Sequence, residues 1–113
     1  MKRECKAEDT ARCKVDFASI AWESPAAKVR FKVHREGDRQ IRLVEFFKGF
    51  TEPDWCRKGH IGYVLEGRCE IDFNGRVIQY GPGDGIFIPP EEAHKHKASV
   101  IGDVVRVILV EDV

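Results

Sequence analysis

Short apolar segments separated by glycine-centred turns fill residues 59–96, which read GHIGYVLEGRCEIDFNGRVIQYGPGDGIFIPPEEAHKH. Each segment is too short for an ordinary helix and has the length of a strand. Asn74-Gly75 and the sequence GPGD at residues 81–84 supply the residues that tight turns between antiparallel strands require. This stretch therefore constrains the chain to antiparallel β-structure.

The same patterning extends toward the N-terminus. Between residues 28 and 34 apolar and polar residues alternate strictly, which places Val29, Phe31 and Val33 on one face and the charged residues on the other. Such a pattern predicts a half-buried strand. Gly37-Asp38 then marks a turn to a partner strand.

Applied to the whole chain, these signals predict an all-β fold with about nine strands, closed as an antiparallel β-barrel or sandwich. No stretch shows convincing helical periodicity. We expect a turn at residues 22–25 and a longer loop at residues 49–59. The predicted strands are residues 15–20, 28–34, 41–47, 60–65, 69–73, 77–80, 85–88, 95–100 and 104–110.

Length and charge limit the domain organisation and the partners. The 113 residues are enough for one domain, which we place at residues 15–113 after a polar tail at residues 1–14. Nineteen basic and nineteen acidic residues give no net charge, so we expect no nucleic-acid partner. No apolar run could cross a bilayer and the N-terminus has no signal-peptide core, so we expect a cytoplasmic protein without a membrane partner.

Four cysteines occur without a CxxC pair. This spacing fits neither a zinc knuckle nor a dense disulfide framework, and in a reducing compartment the thiols would stay free. Cys69 alternates in phase with Ile71 and Phe73, which predicts a small core residue.

Two predicted strands are apolar on both faces. Alternation nearly disappears in residues 61–65 and 104–110, so the face that points away from the core needs a cover, which is either the N-terminal strand or a second subunit. We therefore predict a homodimer. Candidates for the shared surface are Tyr63, Leu65, Ile108 and Val110.

Residues 83–94, GDGIFIPPEEAH, resemble the second motif of the small single-domain cupins, G(X)5PXG(X)2H(X)3N. Gly83, Pro89 and His94 stand at the required spacing, whereas Glu91 replaces the second glycine and Ala98 replaces the asparagine. The resemblance covers roughly residues 40–110. It implies a cupin-type jelly roll, also called a double-stranded β-helix, with a metal or small ligand in the barrel mouth.

The first cupin motif, G(X)5HXH(X)3-4E(X)6G, matches in outline only. If Gly67 is its terminal glycine, His60 occupies the position of the metal-binding glutamate. The two histidines of the motif then fall on residues 53 and 55 with the longer spacer, or on residues 54 and 56 with the shorter one, and neither pair is histidine.

A metal site can still be predicted from the residues that remain. Residues two apart on a strand share a face, so His94 and His96 would both point inward on a regular strand, where His60 could join them. Cys56 or Asp54 could add a fourth ligand. A thiolate would favour zinc or iron, and the expected cofactor is a divalent iron, zinc, manganese or nickel ion.

Two functions follow from this site. The first is a metal-dependent enzyme acting on a small polar metabolite, with Trp55 and Tyr63 shaping the substrate pocket; the cupin resemblance implies dioxygenase, isomerase or lyase chemistry. No general acid or base is identified, because no carboxylate is clearly placed inside the barrel. The alternative is a non-catalytic small-molecule-binding module without a metal, in which the histidines donate hydrogen bonds to the ligand.

Overall fold

The structure, a computed structural model, describes residues 13–113. The predicted tail at residues 1–14 lies outside the described residues except for its last two. This part of the chain contains seven strands and two single-turn 3-10 helices, Phe17–Ser19 and Glu92–His94, and no helix in it is long and apolar enough to cross a membrane. The strands are β1 (Glu23–Ala26), β2 (Val29–Glu36), β3 (Arg39–Phe47), β4 (His60–Asp72), β5 (Val77–Tyr80), β6 (Gly85–Ile88) and β7 (Lys97–Asp112).

The strands form one antiparallel sheet in the order β1-β2-β3-β7-β4-β5, and β6 pairs with β4. The long strands β4 and β7 are paired from Ile61 opposite Val110 to Asp72 opposite Lys97. The first half of β4 also pairs with β6 and its second half with β5. The predicted all-β class with the cupin jelly roll is confirmed.

Alternation on the central strands builds the core. In the second half of β7, after Gly102, the odd-numbered residues point inward, so Val105, Val107 and Leu109 are almost fully buried. On β4, Cys69 is buried in phase with Ile71, as its sequence pattern predicted. Val29 and Phe31 of β2 pack against this core. The core therefore lies on one side of the curved sheet, and this side also carries the cavity described below.

The structure has fewer strands than the nine predicted because two predicted pairs are continuous. Residues 60–65 and 69–73 belong to β4, and residues 95–100 and 104–110 belong to β7. Gly67 and Gly102 sit at the predicted breaks with positive φ angles of 76° and 81°. Glycine takes this conformation without steric cost, and the register of β4 against β7 shifts around Gly67. These glycines therefore form irregularities inside strands instead of ending them.

The N-terminal predictions at residues 15–20 and 22–25 are wrong. The first segment forms a 3-10 turn instead of a strand, because the Ser19 hydroxyl and backbone N–H both donate to Asp16 and compete with strand pairing. The second segment is not a turn but contributes to β1, which pairs with β2. Pro25 is tolerated there because β1 lies at the edge of the sheet.

The outer face of β4 is unusually apolar. Ile61, Tyr63 and Leu65 are 47%, 49% and 41% exposed, and Phe87 beside Ile61 on β6 is 77% exposed. Ile108 of β7 lies opposite Tyr63. This is the face predicted for a homodimer, and the dimer itself stays a prediction.

Candidate functional site

A cavity of about 470 Å³ opens on the inner side of the sheet. Its wall includes Cys56 from the loop between β3 and β4, His60 at the start of β4, and His96 just before β7. Cys56 and His60, four residues apart in sequence, are thus brought together with the distant His96 on one wall of a ligand-sized cavity, and all three are chemically suited to bind a metal.

Backbone pairing explains how Cys56 and His96 meet. The Cys56 N–H donates to the His96 carbonyl at 2.8 Å, and the His96 N–H donates to the Cys56 carbonyl at 2.9 Å. This isolated bridge fixes the two residues directly opposite each other. His60 joins them because it shares the inward phase of Val64 on β4.

The three donor atoms lie close enough to share one ion. One ligand atom from each of Cys56, His60 and His96 lies within 4.8 Å of the others, and Cys56 Sγ is 3.5 Å from His60 Nε2. In tetrahedral zinc sites, bond lengths of about 2.3 Å to sulfur and about 2.0–2.1 Å to nitrogen set these atoms about 3.5–3.6 Å apart. The observed separation therefore fits a metal ligand pair.

Both imidazoles are oriented by a second contact. The His60 Nδ1–H donates to the Glu111 carboxylate at 2.6 Å, and the His96 Nδ1–H donates to the His94 carbonyl oxygen at 3.0 Å. In each ring this leaves Nε2 as the atom available to a metal. A carboxylate or carbonyl acceptor behind a ligating histidine is the usual arrangement at protein metal sites.

Glu111 is itself held in place. Arg42 donates to its two oxygens at 2.7 Å each, and Gln40 donates to Oε1 at 2.8 Å. Sequence reasoning missed this residue because the predicted strand ended one position earlier. The signal was present, since Glu111 continues the inward alternation of Val107 and Leu109.

The contacts also set the charges in the cluster. Hydrogen bonds from His60 and His96 lower the pKa of the Cys56 thiol to about 5, although burial opposes this. Burial also opposes a charge on His60, but hydrogen bonds to Cys56 and Glu111 raise its pKa to about 9. Hydrogen bonds from His60 and Arg42 outweigh burial and hold the pKa of Glu111 well below its usual range. In the metal-free protein these contacts favour the thiolate form of Cys56 and the protonated form of His60.

A second carboxylate, Glu52, lines the same cavity. Its Oε1 accepts the Ala98 N–H at 3.0 Å. Burial raises the pKa of Glu52, and the hydrogen bond from Ala98 offsets only part of that effect. Glu52 lies in a loop without readable alternation, so its inward position gave no signal in the sequence. It supplies the cavity with a carboxyl group able to exchange a proton.

His94, which the sequence analysis placed in the metal site with His96, is not part of the cluster of donor atoms. Its side chain is 44% exposed, and its Nδ1 lies 3.7 Å from the Glu91 carboxylate. The cause is the 3-10 turn at Glu92–His94, which delays strand pairing until His96 faces Cys56. The rule that residues two apart share a face requires a regular strand, and here His94 precedes the strand.

The remaining predicted site residues lie elsewhere. The ammonium groups of Lys95 and Lys97 lie over the Trp55 ring at 5.4 and 4.7 Å. Tyr63 faces outward, and neither Trp55 nor Tyr63 lines the cavity. Asp54 is exposed. Among residues 53–56, where the two spacings place the histidines of the first cupin motif, only Cys56 belongs to the cluster.

Comparison with known families agrees with this architecture. The family model of the cupin domain matches residues 51–110, more than half of the 113-residue chain. The chain belongs to the cupin family. The match includes Cys56, His60 and His96, so the cluster lies within the cupin domain. A search of curated proteins gives no significant match for this cupin.

Solved structures share the fold at low sequence identity. The polyketide cyclase RemF from Streptomyces resistomycificus gives a TM-score of 0.71 at 23% identity, covering 88% of this cupin and 78% of RemF. KdgF from Halomonas sp. gives 0.69 at 23%, covering 81% and 86%. A cupin-superfamily sugar phosphate isomerase from Silicibacter pomeroyi gives 0.72 at 14%, covering 88% and 75%. At these identities the likeness establishes the fold alone.

Proposed function

We propose that this cupin binds a divalent metal ion through Cys56, His60 and His96 and acts on a small metabolite held in the adjoining cavity. The observation that carries the proposal is the convergence of three donor atoms within 4.8 Å. The hydrogen bonds at both Nδ1 atoms support it, because they direct the two Nε2 atoms toward the thiolate.

The donor set narrows the choice of ion. One thiolate and two imidazoles suit zinc well and manganese poorly, because manganese prefers oxygen ligands. Three protein ligands would leave a coordination position for water or substrate. A divalent ion at this position would supply Lewis-acid polarisation of a substrate carbonyl or of a bound water.

The chain's own residues supply the other functions of a site. Glu111 orients His60, and Arg42 in turn fixes Glu111. Glu52, whose pKa is raised by burial, is a carboxyl group able to hold or release a proton inside the cavity. Of the chemistries that the cupin resemblance implies, a proton-transferring isomerase or lyase reaction uses this carboxyl group, so we favour it over a dioxygenase reaction.

Cobalt substitution tests the proposed ligands directly. Titration of the metal-free protein with Co²⁺ is expected to give the absorption of a thiolate-to-cobalt charge transfer, saturating at one ion per chain. Cys56→Ser is expected to abolish this band, whereas Cys69→Ser, which changes a buried thiol outside the cluster, is expected to retain it. An unchanged band in Cys56→Ser would contradict the proposal.

A second candidate is the metal-free binding module. It is favoured by the hydrogen bonds among Cys56, His60 and Glu111, which satisfy one another without an ion. In that function the cluster would bind the ligand through its hydrogen bonds alone. The absence of any cobalt signal in the wild-type protein would select this candidate.

We also propose that residues 15–113 act as one domain, that two copies pair through the apolar outer face of β4, and that the protein works in the cytoplasm. The exposed Tyr63 and Phe87 support the dimer, because single-chain proteins rarely leave such a face uncovered. The free thiols of Cys56 and Cys69 support a reducing compartment.

A further inference from the structure

Most of the cavity lining is apolar. Six buried side chains from β4, β6 and β7 form an aliphatic wall, Ile71, Ile86, Ile88, Val105, Val107 and Leu109, and Phe31, Phe46 and Phe50 add to the apolar lining. A surface of this kind gains free energy by covering a ligand's hydrocarbon groups, and it offers no partner to a hydroxyl group.

Most of the polar side chains that line the cavity already have partners; Lys58 and Ser99 are the exceptions among the described lining residues. Arg42 and Gln40 donate to Glu111, Arg35 donates to Gln40 at 2.7 Å, and Glu52 accepts a backbone N–H. A polyhydroxylated ligand such as a sugar would therefore exchange its hydrogen bonds to water for aliphatic contacts, which is unfavourable. The cavity does not fit such a ligand.

Lys58 adds a positive charge at the cavity opening. It lies between Cys56 and His60 in sequence, lines the cavity, and is exposed. Within residues 13–113 its ammonium group has no carboxylate partner within ion-pair distance, unlike Arg42. An anionic group of a ligand can therefore approach Lys58 without displacing an existing ion pair.

We propose that the cavity takes a monocarboxylic acid with an apolar body. The hydrocarbon part lies against the aliphatic wall, and the carboxylate faces Lys58 and the Cys56, His60 and His96 cluster. The inference rests on the proposed function in one respect, the position of the ligand's carboxylate at the cluster. The aliphatic wall favours an apolar ligand body whether or not a metal ion is bound.

A homologous series of acids tests this inference by calorimetric titration. Butanoate, hexanoate and octanoate differ only in methylene number, and gluconate is the matched control for hexanoate because it has the same carbon chain with hydroxyl groups. We expect the affinity to rise about threefold to fourfold per methylene group, as transfer of a methylene from water predicts. We expect gluconate to bind at least tenfold more weakly than hexanoate. Affinity independent of chain length, or equal binding of gluconate, would overturn the inference.

Two pairs of variants locate the ligand. Val107→Phe fills the aliphatic wall and is expected to weaken octanoate binding at least tenfold, whereas Val77→Phe, at a position 54% exposed on β5, leaves it unchanged. Lys58→Gln is expected to weaken all three acids by a similar factor, whereas Lys48→Gln, outside the cavity lining, does not. If Val107→Phe fails to fold, the wild-type series and the Lys58 pair still decide the question. Octanoate binding that is unaffected by both Val107→Phe and Lys58→Gln would overturn the inference.

The series is run on the zinc-loaded and the metal-free protein. If zinc does not bind but the chain-length dependence persists, the metal proposal fails and the inference stands. If zinc binds and the chain-length dependence is absent, the metal proposal stands and the inference fails.

Discussion

Glu111→Gln is expected to weaken metal binding without removing any proposed ligand. The carboxylate accepts two hydrogen bonds from Arg42, one from Gln40 and one from His60. A glutamine has the same shape but no charge. Its NH₂ group replaces one carboxylate oxygen and cannot accept a hydrogen bond from the donors that surround it. His60 then loses the acceptor that fixes its ring. Loss of such a partner typically lowers metal affinity tenfold to a hundredfold, about 1.4–2.7 kcal/mol.

The same substitution should also destabilise the fold. Arg42 is 21% exposed, so it stays partly buried without its partner. Breaking a buried ion pair of this kind costs about 2–4 kcal/mol, which for a chain of this length lowers Tm by roughly 10 °C or more. A fall in metal affinity alone would therefore not separate a positioning role from general damage.

Glu45 provides the matched control. It is a glutamate on β3 with 2% exposure that accepts Arg30 Nε at 2.6 Å and Arg106 Nε at 2.8 Å, and it does not line the cavity. Glu45→Gln should lose about 1–3 kcal/mol, because its two arginines are more exposed than Arg42. Its metal affinity should remain within about twofold of wild type, since no contact joins Glu45 to the cluster.

Competition titration against a chromophoric chelator, with thermal melts of the same samples, distinguishes the two effects. We expect both variants to melt at lower temperature and only Glu111→Gln to lose metal affinity. Equal loss of affinity in both variants, or wild-type affinity in Glu111→Gln, would refute the positioning role.

Four further predictions concern Cys56, the strand irregularity at Gly67 and the outer face. In the metal-free protein the rate of Cys56 alkylation by iodoacetamide should follow a pKa of about 5 and slow as pH falls through that value. Cys69, whose pKa is raised by burial to about 11, should stay unreactive. An alkylation rate of Cys56 that follows a pKa near 9 would contradict the contacts described. Because the folded-state pKa of Cys56 lies below the ordinary value, its stabilising contribution is complete at high pH and should be lost on acidification through about pH 5. Gly67→Ala should lower the free energy of unfolding in urea by at least about 2 kcal/mol, because an added Cβ would lie 1.9 Å from the Val104 carbonyl oxygen. In Gly75→Ala the added Cβ meets nothing within 4 Å, so this control should lose only the strain of its positive φ. Equal losses in the two variants would count against the close approach at Gly67. Tyr63→Lys should shift the protein toward monomer in sedimentation velocity, and an unchanged sedimentation coefficient would remove the proposed dimer face.

The sequence predicted the bounds of those strands that begin and end at tight turns. The bounds of β5 and β6 match the predicted segments, because Asn74-Gly75 and the residues 81–84 fix where these strands begin and end. The length of β4 was not predictable in this way. Gly67 has the composition of a turn, and only the long-range pairing of β4 with β7 makes it an irregularity within a strand.

The sequence predicted which residues form the candidate site better than it predicted where their side chains lie. Cys56, His60 and His96 were all named from their chemistry, but the sequence also included His94, whose place depends on a 3-10 turn that has no clear sequence signature. Glu111 was within reach of strand alternation, whereas Glu52 depends on how an irregular loop packs. Side chains on regular strands can thus be assigned to a face from the sequence, and those in loops cannot.

Metal stoichiometry tests the central claim most directly. Purified, untagged protein would be loaded with zinc, dialysed and measured by plasma mass spectrometry beside the His60→Ala, His96→Ala double variant and the single variant His94→Ala as the matched control. We predict about one zinc per chain in the wild type and in His94→Ala, and loss of zinc in the double variant with its β-sheet circular dichroism retained. A wild-type protein that retains no metal, or a double variant that retains as much as the wild type, would contradict the proposed site.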